Sequence, residues 1–488
     1  MSADPAPPRA GAPLDRRDFL RESAIGLGGI ALSWRFERDA RAQQAPSRLP
    51  SQAPSHGYSH FPPRARRVIQ IFCAGGVSHL DTFDFKPELS RRHGSELTSK
   101  GENKGFFGQP GRLMQSPYRF AQHGGCGTFV SSLLPGIAGV VDDLCVVRSM
   151  VGRSNNHTPA TFQMNSGFAL NGFPCMGAWL SYGLGAHGED LPTFVVLPDP
   201  RGMPAGGSIN WTAGFLPAQH QGVPLVPGSA APIHDLSTPA EVPARARAAG
   251  RIFRDRLDRM LEARVEGEAG LEARIRSYEL AARMQISVPE AVDIDGESAS
   301  TQCLYGIDRP ESAGFGRNCL LARRLLERGV RFVQLWNGGA FGSPRINWDG
   351  HENLRENHDA QAATMDRPVA GLIRDLKQRG LLADTLVVWT TEFGRGPSTQ
   401  GLDSSGRDHH PDAFTCFLAG GGSRAGHVHG STDEVGYFVA EDPVTIPDFH
   451  ATLLHLLGID HQRLTFHHNG TARRLTDVHG EVVTGLLA

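Results

Sequence analysis

Arg67-Val68-Ile69-Gln70-Ile71-Phe72-Cys73 is a short apolar run that empties into Ala74-Gly75-Gly76. A strand buried on both faces of a parallel sheet looks like this, and a small-residue loop at its carboxyl end is where such a strand stops. Runs of the same kind recur at Leu144 to Val147, Phe194 to Leu197, Arg331 to Trp336, Leu386 to Thr390 and Phe414 to Ala419. Helical stretches lie between them. In one, Val369, Leu372, Ile373 and Leu376 fall at i, i+3, i+4 and i+7, Gly380 supplies the stop, and the Leu386 run follows. This helix-to-strand order predicts an α/β fold with a mainly parallel central sheet flanked by helices. Residues 242–287, dense in Arg, Glu, Ala and Leu, read as one or two charged surface helices, so about 200–300 is expected to be a helical insertion.

With 488 residues, 40% of them hydrophobic, the chain can bury a large core. A net charge of -2 offers no general basic field, which argues against nucleic acid as a partner. The 58 glycines and 33 prolines indicate many loops, where α/β enzymes keep their chemistry. Seven cysteines without a CxxC exclude a disulfide framework or zinc ribbon and are expected mostly in the core.

At the amino terminus, Asp15-Arg16-Arg17-Asp18-Phe19-Leu20 precedes a mild apolar stretch from Ala24 to Trp34 and then Ala40-Arg41-Ala42. This is the order of a signal peptide, and the paired arginines before Phe-Leu resemble the twin-arginine class. Residues 1–42 are therefore expected to be removed, 43–62 to form a Pro/Ser/Gln-rich linker and 63–488 to be the domain. The apolar stretch is well short of the ~20 residues that span a bilayer, so no transmembrane anchor is expected and the protein is placed in the periplasm or outside the cell.

In open parallel sheets, ligands bind beyond the carboxyl ends of the strands. The residues met there are Ser78, His79, Asp81 and Asp84, then Asp349, His351 and His358, then Glu392 and Arg395. Just before Phe414 come Arg407, Asp408, His409 and His410. Carboxylates and imidazoles from several strand ends suit one or two divalent cations, with Zn, Ca, Mg and Mn all open. Singly, an Asp after a strand is more often a helix cap, and a lone His more often a satisfied surface or core residue; the case for a metal rests on the set.

The segments Gly75-Gly76-Val77-Ser78-His79-Leu80-Asp81-Thr82-Phe83-Asp84, Trp348-Asp349-Gly350-His351, Thr391-Glu392-Phe393-Gly394-Arg395 and Gly406-Arg407-Asp408-His409-His410 resemble the signature of a secreted bacterial family catalogued as domain of unknown function 1501. Ala451 to Gly458 is similar to its carboxyl-terminal helix. The resemblance implies an alkaline phosphatase-like fold, within the alkaline phosphatase and sulfatase superfamily, and a metal site at the carboxyl edge of the sheet. Asp81, Asp349, His351, Glu392 and His409 are the expected ligands. His157-Thr158-Pro159 through Ser166-Gly167 is similar to the stretch that opens on the nucleophile in sulfatases, so a histidine stands at the attack position and no cysteine is present to become formylglycine. Three readings follow: His157 takes the phosphoryl group, His157 binds metal while Thr158 or Ser154 attacks, or water attacks. A structural reading, with Asn156-His157 only capping a helix, stands beside them. Arg407 and Arg395 are candidates to clamp an anionic ester through their guanidinium forks. The resulting expectation is an exported metal-dependent hydrolase of a phosphate or sulfate ester, with a non-catalytic binding protein of the same fold as the alternative.

Overall fold

The computed structural model describes residues 59–97, 111–188, 190–227, 232–233, 291–340 and 345–488, together with scattered positions between 243 and 290. The expected signal peptide and nearly all of the linker lie outside the described residues.

The Arg67–Cys73 run is β1, at the centre of the main sheet. Leu144–Val151 is β2, Phe194–Leu197 β3, Val223–Pro224 β4, Phe332–Asn337 β5 and Thr385–Thr390 β6. Gly394–Thr399 (β7) and Arg407–His410 (β8) form a separate antiparallel hairpin. Phe414–Ala419 (β9), His427–His429 (β10) and Val444–Thr445 (β11) return to the sheet. Its order is β10-β2-β9-β6-β1-β5-β3-β4, with β11 also on β2. β9 is antiparallel to both its neighbours, and the other pairings are parallel. The mainly parallel sheet read from the apolar runs is therefore present, with one reversed strand inside it.

The alternation of side chains along β1 separates two cores. Ile69, Ile71 and Cys73 pack with Leu320 of helix α3 (Pro310–Glu327) and Leu372 of helix α4 (Leu354–Gln378). Val68 and Phe72 face the opposite layer, which contains Met164 of α1 (His157–Ser166), Trp179 of α2 (Met176–Leu184) and Leu453 of α5 (Ile446–Leu456). Five of the seven cysteines are buried, and none is paired in a disulfide. Part of the expected insertion joins the main body: Trp211 is buried and β4 extends the sheet beside β3. Among the described residues no helix is long and apolar enough to cross a membrane.

The reversed strand positions the site. Chain leaving β1, β2, β5 and β6 emerges at the carboxyl edge, and chain entering β9 arrives at that same edge. Residues 407–410, just before β9, therefore meet Glu392 and Asp349, which follow β6 and β5. For the same reason the Gly420-Gly421-Gly422 loop leaves β9 at the amino edge, where Gly420 packs on Leu382 and Thr385.

Candidate metal centre

The loop after β1 is set by close approach. Gly75 has φ +118°, and a side chain there would come within 2.6 Å of the Asp349 backbone nitrogen. Only glycine lets this loop press against the Trp348-Asp349 segment. Trp348 is anchored beside it: its backbone N–H donates to Ala74 O at 2.9 Å, and its indole N–H donates to Asn337 Oδ1 at 2.8 Å.

Asp349 is the hub. Its Oδ1 lies 2.8 Å from His351 Nε2, 3.3 Å from His157 Nε2, 3.4 Å from His409 Nε2 and 2.7 Å from Arg395 Nη2. His351 Nε2 and His409 Nε2 are 2.8 Å apart. One donor atom from each of His157, Asp349, His351 and His409 falls within 4.8 Å of all the others. Such a group could hold a metal ion.

The outer nitrogens of two rings are fixed. His157 Nδ1 is 2.7 Å from Glu392 Oε1, and that oxygen also accepts the Gly75 N–H at 2.8 Å. Thr391 Oγ1 donates to Glu392 Oε2 at 3.2 Å and accepts the Val77 N–H at 3.0 Å. His409 Nδ1 donates to the Asn155 carbonyl at 2.7 Å. Both rings thus turn Nε2 toward Asp349. Phe393 packs against His157 and His409, with ring centroids 4.8 and 4.7 Å away, and gives the cluster an apolar wall.

Burial and neighbours pull the protonation states apart. Burial opposes ionisation of Asp349, but the Arg395 guanidinium and the hydrogen bonds from His157 and His351 hold it well below the usual carboxylate range. Burial also disfavours the charged form of His157, yet its bonds to Asp349 and Glu392 outweigh that and raise its pKa. His409 is pushed down to about 3, mainly by burial, and His351 is lowered by the same cause.

The family model described as protein of unknown function (DUF1501) matches residues 65–487. The chain belongs to the DUF1501 family. No curated protein matches it. Among solved structures it is similar to a sulfatase, PsFucS1, from Pseudoalteromonas sp., at 12% identity and TM-score 0.34, over 84% of this chain and 74% of that one. It is also similar to the lipoteichoic acid synthase LtaP from Listeria monocytogenes, at 12% identity and TM-score 0.31, over 82% and 74% of the two chains. A third is a protein in the alkaline phosphatase superfamily from Vibrio parahaemolyticus, at 11% identity and TM-score 0.35, over 85% and 72%.

Within this DUF1501 chain, Asp349, His351 and His409, expected together, are brought together, and His157 joins them. Glu392 stands one layer out, where it orients His157. Asp81 is not part of the cluster. Its carboxylate is held by Arg407, Nε to Oδ2 at 2.7 Å and Nη2 to Oδ1 at 3.3 Å, and by the Ser78 hydroxyl, with both charged side chains fully buried. The ion pair fixes Arg407, which also donates to the Pro397 carbonyl at 3.0 Å, so its fork faces Asp81 and the protein backbone. Arg395, the other candidate to clamp an ester, is fully buried, with Nη2 on Asp349 and its other donors on backbone carbonyls. Thr158 is half-buried in the first turn of α1, beside His157. Asn156 makes no side-chain cap on α1, so the helix-capping role considered for this pair is absent on its side. His79 and His410 reach the carbonyls of Gly436 and Tyr437 and serve the loop packing. Two contributors were missed by sequence reasoning: the Asn155 carbonyl, which leaves no trace in side-chain chemistry, and Phe393, whose apolar ring gives no sign of a place beside metal ligands.

Proposed function

We propose that this chain is an exported metal-dependent hydrolase of the alkaline phosphatase type, acting on a phosphate or sulfate ester. The observation that supports it most is a convergence of acceptors. His409, neutral because of its burial, gives its Nδ1 proton to Asn155 and turns a lone pair inward. It faces Asp349 Oδ1, another acceptor, and His351 Nε2. Acceptors gathered away from water repel one another unless protons or a cation stand between them. In the ion's absence a proton on His157 does part of this, since its two carboxylate partners raise its pKa. A divalent cation does it for all four donors at once, and when bound there supplies Lewis acidity toward an ester oxygen.

His157 is engaged at both ring nitrogens, which favours a ligand role over nucleophilic attack. Thr158 next to it, or water, is then the attacking group. Export through the twin-arginine route belongs to the same proposal and rests on Arg16-Arg17 and the apolar stretch that follows.

The test is a screen of monoester, diester and sulfate ester substrates on protein stripped of metal and reloaded with single divalent ions. Turnover that disappears on stripping, returns on reloading and is lost in His409→Ala supports the proposal. Metal-loaded protein that turns over no ester refutes it. One observation favours the second reading, a non-catalytic binding protein. Four protein donors close a tetrahedral shell, the pattern of structural rather than catalytic sites. In that case, stripping lowers the thermal midpoint without changing any turnover.

A further inference from the structure

We propose that this centre takes a single cation of the zinc class and that Arg395 stands where a second cation would otherwise sit. The inference rests on the reading of the cluster as a metal centre and specifies what that centre accepts.

The donor set selects the ion. Three of the four donors are imidazole nitrogens and one is a carboxylate oxygen. Bonds of about 2.0–2.1 Å in a tetrahedron place donors about 3.3 Å apart. Here the short contacts are 2.8 Å for His351 to Asp349 and for His351 to His409, two more are 3.3 and 3.4 Å from Asp349 to His157 and His409, and the four donors together span 4.8 Å. Opening the two short contacts by about 0.5 Å and drawing in the widest pair by about 1.5 Å brings the four donors to that spacing. Calcium asks for about six to eight oxygens at longer range, and magnesium for near-octahedral oxygen. The neighbouring carboxylates do not supply them. Glu392 Oε1 is committed to His157 and Gly75, and Asp81 is committed to Arg407 and Ser78.

The number of ions follows from charge. Arg395 Nη2 lies 2.7 Å from the same Asp349 oxygen that faces the histidines. Its remaining donors are used on backbone carbonyls: Nε on Gly76, Nη1 on Arg407, and Nη2 also on Gly75. An immovable guanidinium on that oxygen repels a second cation seeking to share it. The count of buried charge agrees. Asp81, Asp349, Glu392 and Asp408 surround Arg395 and Arg407, which leaves two net negative charges, the number one dication offsets. A second dication would leave an excess of two positive charges in a region withdrawn from water, where such an excess is strongly unfavourable.

The experiment uses the whole protein, stripped by a chelator and titrated separately with Zn2+, Co2+, Mn2+, Ca2+ and Mg2+. Bound metal per chain is measured by mass spectrometry of the elements, and coordination by the visible spectrum of the cobalt form. The expected result is one zinc or cobalt ion per chain, the intense bands of four-coordinate cobalt, and binding of calcium and magnesium weaker by at least about 100-fold, following ligand preference. The cobalt bands are lost in His351→Ala and His409→Ala, with folding verified by circular dichroism, and kept in Asp81→Asn. If the alanine variants misfold, His351→Gln, which keeps the volume, takes their place. Two ions per chain, or preferential calcium or magnesium binding, overturns this inference and leaves the metal-centre reading standing. Binding of none of the five overturns both.

Discussion

Replacing Asp81 by Asn tests whether the buried Asp81–Arg407 pair is structural. Both side chains are fully buried, Arg407 Nε lies 2.7 Å from Asp81 Oδ2, and Ser78 Oγ donates to the same oxygen. Burial opposes ionisation of Asp81, and Arg407 overrides it, holding its pKa below the usual range. Asparagine keeps the shape and can still accept from Arg407, but it leaves a guanidinium buried without its counter-charge. Breaking a buried pair from one side costs about 3–5 kcal/mol. For a domain of about 420 residues, with an unfolding entropy near 2.1 cal/mol/K per residue, that corresponds to a fall in thermal midpoint of about 3–6 °C. Differential scanning calorimetry on metal-loaded Asp81→Asn gives the shift, and elemental analysis gives the bound ion, which is expected to be unchanged. Asp81→Leu combined with Arg407→Met removes both charges and is expected to recover at least half of the loss. A variant whose midpoint moves by less than about 1 °C while its bound metal disappears would refute the reasoning, since a ligand and not a salt-bridge partner would then have been removed.

Glu392→Gln keeps an acceptor for Gly75 but weakens the hold on His157 Nδ1, and metal affinity measured by competition with a chelating dye is expected to fall by about 10–100-fold; an unchanged affinity counts against its orienting role. His450, buried in α5 against the Met164 carbonyl, has its pKa lowered by burial from 6.5 to about 4. The unfolded chain therefore binds a proton more readily than the folded one between those values, so stability is present above pH 6.5 and is lost as pH falls toward 4, by about 3 kcal/mol for this group. Urea midpoints at pH 7 and pH 4.5 are expected to differ less in His450→Gln than in the unaltered protein. Changing Arg16 and Arg17 together to Lys is expected to stop export, read by fractionation; normal periplasmic arrival of the double variant excludes the twin-arginine route.

Six strands of the main sheet were legible because each is a run of four to eight mostly buried residues between turn signals, and observed boundaries such as Phe194–Leu197 and Phe414–Ala419 coincide with the apolar runs; β4, β10 and β11, only two or three residues long, were not. Strand direction was not legible. Nothing in Phe414 to Ala419 states that it runs against its neighbours, and that reversal decides that Arg407–His410 lie at the site while Gly420–Gly422 do not. Side-chain partners across long separations were hidden for a similar reason. Asp81 and Asp349 both follow strands and look alike in sequence, yet Arg407, 326 residues along the chain, claims the first. What separates a ligand from its orienting neighbour is a difference of one side-chain length, as Glu392 shows by reaching His157 instead of the centre.

The position of β1 has a consequence for synthesis. Its two partners, Phe332–Asn337 and Thr385–Thr390, are made last among the central strands of the sheet's parallel core. At about 5–20 residues per second, a ribosome needs roughly 15–65 s after Arg67 to release Thr390. Until Asn337 is made, after roughly 14–54 s, Val68 to Phe72 has no permanent neighbour on either side, and closing loops of this length costs about 5 kcal/mol in chain entropy before any pairing is gained. The nascent chain is thus an aggregation hazard by topology, whatever the final stability, and a holding factor that binds short extended apolar segments would protect it during this interval.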